Sequence, residues 1–173
     1  MNDEPPEGLG ATTGAMRSEW QAEEDELTRA AYEQWRHGRS FVDLLGECAA
    51  RGDTIHVTFP TATFRGAVVE LGPDRFALAA GPGPVDVSLG ADLVLGIDRS
   101  PGAAGETPPS GPSLRARLLE HEMAAADVVL GTAGTEVRGT LVVGVDHVVV
   151  TQGDLERVVP LHAIAWVRVE AAR

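Results

Sequence analysis

The chain has 173 residues and a net charge of −12, with 26 acids against 14 basic residues, every one of them Arg. Binding to polyanions is driven by cations that displace counterions, so this balance argues against nucleic acid or an anionic membrane as the default partner. A lone cysteine, Cys48, excludes an intrachain disulfide and a thiolate metal cage, and no apolar run reaches the roughly 20 residues that span a bilayer as a helix.

From the start, Met1 to Arg17 is rich in Pro, Gly, Thr and acid with a single Leu. It cannot bury enough surface to order itself and is expected to be a disordered acidic tail. It also lacks the basic and apolar pattern of a signal peptide, which points to the cytoplasm. Ser18 with Gln21 has capping-box spacing, and Trp20, Leu27, Ala31 and Trp35 then recur on one helical face with Tyr32 beside it. Aromatics at this spacing generally face a core, so Trp20, Tyr32 and Trp35 are expected to pack on the strands downstream; docking a partner is the alternative. Gly38 ends this helix. A second runs from Ser40 on an apolar stripe of Phe41, Leu44, Leu45 and Cys48, and stops at Gly52, with Cys48 read as an inert buried thiol.

Thr54 to Phe59 alternates apolar and polar, as a half-buried strand does. A long strand then runs to Leu71 with Gly66 early in it, where a glycine marks a bend. Gly72-Pro73-Asp74 and Gly81-Pro82-Gly83-Pro84 are turns flanking a strand from Arg75 to Ala80, and Val85 to Leu89 and Leu93 to Asp98 complete five. Arg99 to Pro112 has the Pro and Gly content of a mobile linker. Ser113 caps a helix with Leu114, Leu118 and Leu119 on one face and Met123 beyond, and a second strand set begins at Val128.

The second set repeats the first. Arg65-Gly66 aligns with Arg138-Gly139, and after one dropped residue Asp74, Val87, Leu89, Leu95 and Ile97 fall on Asp146, Val159, Leu161, Val167 and Val169. Phe64-Arg65-Gly66 with Asp74, Val137-Arg138-Gly139 with Asp146, and Val158 to Val167 together resemble the Sm-like (LSm) family of SH3-like small β-barrels. The resemblance implies a mainly β fold with N-terminal helices: two five-stranded SH3/Sm-like small barrels in tandem, each preceded by a helix. The division is tail 1–17, helical arm and first barrel 18–98, linker 99–112, and helix with second barrel 113–173. It also implies pairing of closing strands between the two halves, as in an oligomeric ring, which leaves a monomer or dimer.

RNA contact in this family uses an Asn after the turn acid and a later basic-Gly pair. Leu78 and Val150 stand near the first, and Ser88-Leu89-Gly90 and Pro160-Leu161-His162 at the second. No nucleophile elbow, dinucleotide fingerprint or P-loop occurs, and the five His have no zinc-motif spacing. His162 in the closing turn is the best ligand candidate. Asp146-His147 is read as a poor acid–base pair because neighbours on a strand point to opposite sides. Asp74, Asp86 and Asp92 are read as solvated. The repeated Arg65 and Arg138 either flank a shared groove and hold a carboxylate, phosphate or nucleobase, or bridge to their own turn acids Asp74 and Asp146. The sequence thus points to a module without catalysis, cofactor or metal that acts through protein contacts. An LSm-like RNA-binding protein is the alternative, with Arg65, Arg75, Arg138 and Arg157 as contacts, joined by Arg115 and Arg117.

Overall fold

The computed structural model describes residues 9–101 and 105–170; the expectation for Met1 to Gly8 lies outside the described residues. The chain divides into two units, one up to Phe41 and a body from Val42 onward.

The first unit is one helix, α1 (Leu9–Gly38). It starts upstream of the expected cap at Ser18, so residues 9–17 are helical rather than part of a tail. Its aromatic stripe does not enter a core: Trp20, Leu27, Tyr32 and Trp35 are all exposed. The stripe carries too few large apolar side chains per turn to make the wide face that a packed helix presents. Instead, Tyr32 stacks on Trp35 with centroids 5.6 Å apart, and the Arg39 guanidinium lies 4.5 Å over the Trp35 ring.

Helix α2 (Phe41–Arg51), which from Val42 on belongs to the body, buries Leu45, Cys48 and Ala49 along the stripe its sequence predicts. Burial raises the Cys48 thiol pKa, with Arg51 opposing, as suits an unreactive core thiol. Gly52 ends the helix at φ 71°. Next come β1 (Thr54–Thr58), β2 (Thr63–Leu71), β3 (Arg75–Ala80), β4 (Gly83–Ser88) and β5 (Val94–Asp98). Helix α3 (Leu114–Met123) comes after them, with the Ser113 hydroxyl accepting the Ala116 N–H at 3.2 Å as the expected N-cap. The second set is β6 (Val128–Gly131), β7 (Glu136–Val143), β8 (His147–Gln152), β9 (Leu155–Pro160) and β10 (Trp166–Val169).

All ten strands form one antiparallel sheet in the order β5-β1-β2-β3-β4-β10-β6-β7-β8-β9. Within each half the order is the same: fifth, first, second, third, fourth. The halves meet where β4 pairs with β10, Trp166 opposite Val87 and Val167 opposite Asp86. The sheet does not close on itself; β5 and β9 are its ends.

The long second strand of each half serves two neighbours. Residues 63–66 of β2 pair with β1 and residues 67–71 with β3, while 136–139 of β7 pair with β6 and 140–143 with β8. The hand-over falls at Gly66 and at Gly139. A Cβ at either would collide with a backbone carbonyl on the third strand, that of Ala79 or Thr151, and Gly139 has φ +140°. Only glycine allows this crossing.

Each half has its own core. One gathers Leu45, Ile55, Val57, Phe64, Phe76, Leu78 and Val87 beneath α2; the other gathers Leu114, Leu118, Leu130, Leu141, Val148 and Val150 beneath α3. The division is not clean, because Trp166 of β10 lies wholly buried in the first core, edge-on to Phe64 at 4.8 Å. Gly131 beside it leaves the space that the indole fills. The described part of the Pro/Gly segment is strapped to β2, with the Leu71 N–H donating to Pro109 O at 3.1 Å and the Gly111 N–H to Leu71 O at 2.7 Å.

Candidate functional site

Two features of the body are left open. The first is the pair of sheet ends. Among the described residues, β5 pairs only with β1, and β9 only with β8. Their other edges present backbone donors and acceptors that a sheet interior would pair. Apolar side chains on these strands face water: Val94 on β5, and Leu155 and Val158 on β9.

The second is a groove beside the β4–β10 junction. A cavity of about 380 Å³ is lined by Pro60, Gly90, Ala91, Asp92, Thr132, Ala133 and His162 to Ala165. It shares Pro60, Ala91 and Asp92 with a second concavity of about 500 Å³ that runs along Thr58, Phe59, Leu93 and Val94 to the start of β5. The groove exists because turns from both halves converge there: Pro60 between β1 and β2, Ala91 before β5, Ala133 between β6 and β7, and the 3-10 turn Leu161–Ala163 before β10. Its walls are mostly small and apolar, with Asp92 and His162 as the titratable side chains. Such a channel ending on an open strand suits an extended segment with apolar side chains. His162, the ligand candidate of the closing turn, lines this concave surface.

The arginines fall into different environments. Arg65 on β2 is largely exposed, and its Nη2 reaches Asp98 Oδ2 at 3.3 Å. His56 Nε2 lies 2.7 Å from the same oxygen and 3.2 Å from Arg65 Nε. One ring nitrogen cannot both donate and accept, so the shorter contact makes Nε2 the donor to the carboxylate. That hydrogen bond, with the His56 and Arg65 charges, holds the Asp98 carboxyl below its ordinary pKa. Arg138 on β7 reaches Glu136 at 3.2 Å and Glu170 at 3.6 Å. The repeated arginines thus meet acids at or just past the fifth strand of their own half. They do not meet the turn acids. Asp74 Oδ1 accepts the Leu114 N–H at 2.7 Å, and Asp146 Oδ1 lies 2.8 Å from His147 Nδ1. This last contact corrects the strand-based reading of the pair, because Asp146 sits in the turn and β8 begins only at His147. Four strands separate β2 from β7, and the halves join edge to edge, so the sheet does not set Arg65 and Arg138 facing each other.

Arg75 is not at the surface. It is fully buried, bonded to Asp86 and Glu70, and its Nε donates to Pro112 O at 3.0 Å. Asp86, expected to be solvated, is buried with it because it lies on β4 inside the sheet. Arg117 of α3 completes the network, with Nη2 2.6 Å from Glu70 and Nε 3.7 Å from Asp86. His121 Nε2 approaches Asp86 at 3.8 Å. These ions fasten α3 and the strap to the sheet. Arg157 on β9 is half-buried, 3.5 Å from Gln152 Oε1, and Arg115 caps the Gly144 carbonyl at 3.2 Å. Among the described residues, no cluster of three or more His, Cys, Asp or Glu could hold a metal ion, and no helix is long and apolar enough to cross a membrane.

Sequence reasoning missed the Arg75–Asp86–Glu70–Arg117 network. Arg75 opens the run RFALAA, whose apolar residues leave no polar face, and that was the available sign of a strand covered on both sides. No protein-family model matches the chain, and no curated protein matches it in sequence.

Proposed function

We propose that this chain is a non-catalytic binding or scaffold module acting through protein contacts, which accepts an extended strand at an open end of its sheet. The observation that carries this reading is the open edge of β5 beside an apolar groove that ends on it. Backbone hydrogen bonds along such an edge supply affinity, and pockets for alternate side chains supply selectivity. The same strand order in both halves, a glycine bend in each second strand and a core per half support a tandem Sm-like reading. The RNA-binding alternative has less support: Arg75 is enclosed, Arg65 and Arg138 already lie against carboxylates, and the net charge is −12.

The test is a display library of short extended peptides panned on the full chain, with binders mapped by amide hydrogen exchange. Protection gathered on Leu93 to Asp98 is the expected result. Filter binding of mixed short RNAs at two salt concentrations runs in parallel. Salt-sensitive RNA retention that disappears in the Arg65→Ala, Arg138→Ala double variant, without peptide capture, would replace this reading with the RNA one.

A further inference from the structure

Every residue of α1 from Trp20 to Gly38 is exposed. A helix in a protein draws most of its stability from packing an apolar face, yet here Trp20 is 73%, Leu27 66% and Trp35 47% exposed. These three recur with Ala31 along one narrow stripe. It is too narrow to cover a core, but it has the width of a seam along which two helices pair. A single exposed aromatic is ordinary; two tryptophans and a leucine in line on one helix form a contact surface.

The charges say which partner fits. Glu23, Glu24, Asp25 and Glu26 form an unbroken acidic run, while the stretch from Arg29 to Arg39 carries Arg29, Arg36, His37 and Arg39 against a single acid, Glu33. Adaptation to the helix dipole does not account for the run, because that effect is confined to the end turns and this helix starts at Leu9. A second α1 laid antiparallel sets the acidic half against the basic half twice over, whereas a parallel copy sets each half against its like. The apolar stripe has the same symmetry. Leu27 stands close to midway between Trp20 and Trp35, so an antiparallel pair centred on Leu27 lays Trp20 of each copy across from Trp35 of the other. A foreign helix has no reason to share that midpoint.

We infer that α1 is a self-pairing arm: two copies of this chain join through α1, antiparallel about a two-fold axis near Leu27. The contact is isologous and therefore closes at a dimer. It uses neither the sheet ends nor the groove, so it goes beyond the binding role proposed above, to which it adds a second body and a second open edge on one particle. The pairing is weak. Glu24 falls on the stripe, across from Ala31 of the other copy, and the net charge of −12 opposes the approach of any two chains. Association is therefore concentration-dependent.

Sedimentation velocity on the full chain from micromolar to millimolar concentration tests this, together with acrylamide quenching of tryptophan fluorescence. The parent is expected to pass from monomer to dimer, with Trp20 and Trp35 becoming shielded as it does. Trp166 is fully buried and supplies a constant background. Leu27→Glu sets two carboxylates together at the axis and is expected to stay monomeric. Its body should melt as the parent's does, because residue 27 lies in the other unit. Glu23→Arg combined with Glu24→Arg separates the two orientations: it removes the attraction in an antiparallel pair, weakening association at least ~10-fold, but relieves repulsion in a parallel one. A parent that is monomeric throughout overturns the inference. So does association that Leu27→Glu leaves intact or that leaves the tryptophans unshielded, since it then belongs to another surface. Tighter association of the double variant overturns the antiparallel arrangement. Peptide capture at β5 is read separately, so the self-pairing arm and the binding-module reading stand or fall independently.

Discussion

Arg75→Met is the most informative single change to the body. The thioether fills much of the Arg stem's volume but removes the charge from a site with no solvent exposure. Asp86 is left as a buried carboxylate, and the Pro112 carbonyl loses its donor. Breaking a buried ion pair by removing one partner costs ~3–5 kcal/mol, since the remaining charge is uncompensated. Arg117 Nε, 3.7 Å from Asp86, and Nη2, 2.6 Å from Glu70, compensate in part and place the expected loss at the lower end, about 3 kcal/mol. That is a large share of the ~5–15 kcal/mol that holds a domain folded. At ~2–4 °C per kcal/mol for a chain of this size, it corresponds to a melting point lower by about 6–12 °C. Urea unfolding followed by far-UV circular dichroism reads it directly, without interference from the exposed tryptophans of α1. Pairing Arg75→Met with Asp86→Leu removes both charges and is expected to recover most of the loss. A single variant that loses under ~1 kcal/mol with an unchanged denaturant slope would refute the claim that this network clamps α3 to the sheet.

Two other substitutions probe the bend and the buried acid. Gly139→Ala forces a Cβ into the Thr151 carbonyl at a backbone angle that side chains avoid, and a loss of at least ~1–3 kcal/mol is expected from the same unfolding assay. Asp53 is fully buried, and burial alone would raise its pKa; hydrogen bonds from Arg51 at 2.9 Å and the Ser100 N–H at 2.9 Å override this and lower it. Its folded value lies below its unfolded one, so its contribution is complete above the usual carboxylate pKa of ~3.9 and is lost as pH falls through the lowered value. Asp53→Asn should therefore cost ~1.5–3 kcal/mol at neutral pH, and the gap to the parent should narrow in unfolding curves recorded below pH ~3.9.

Much of the body was legible because its signals are local. The strand from Arg75 to Ala80 and the start of the second set at Val128 fall where turn residues and alternation put them. Ser113 caps α3 because a hydroxyl three residues before an amide has one good use. The bends were legible as glycines, though the carbonyls of Ala79 and Thr151 that require them were not. What failed depended on neighbours distant in sequence. Periodicity groups Trp20, Leu27 and Trp35 on one face but does not say what covers it, and here they are exposed. An Arg beside a turn reads as solvated, yet Arg75 is enclosed because α3 brings Arg117 across the sheet to share its carboxylates. Arg65 stands close to Asp74 in sequence, but β1 carries it to Asp98 through the order of strands.

The indole of Trp166 ties the order of synthesis to the order of folding. Nearly everything in the first core has left the ribosome long before that side chain is made, and until then Phe64 lacks its edge-on neighbour and β4 lacks a flanking strand. A nascent first half is thus an unfinished surface until β10 has been made. Cutting the chain in its Pro/Gly segment would not yield two independent proteins, because the plug of one half is encoded at the far end of the other.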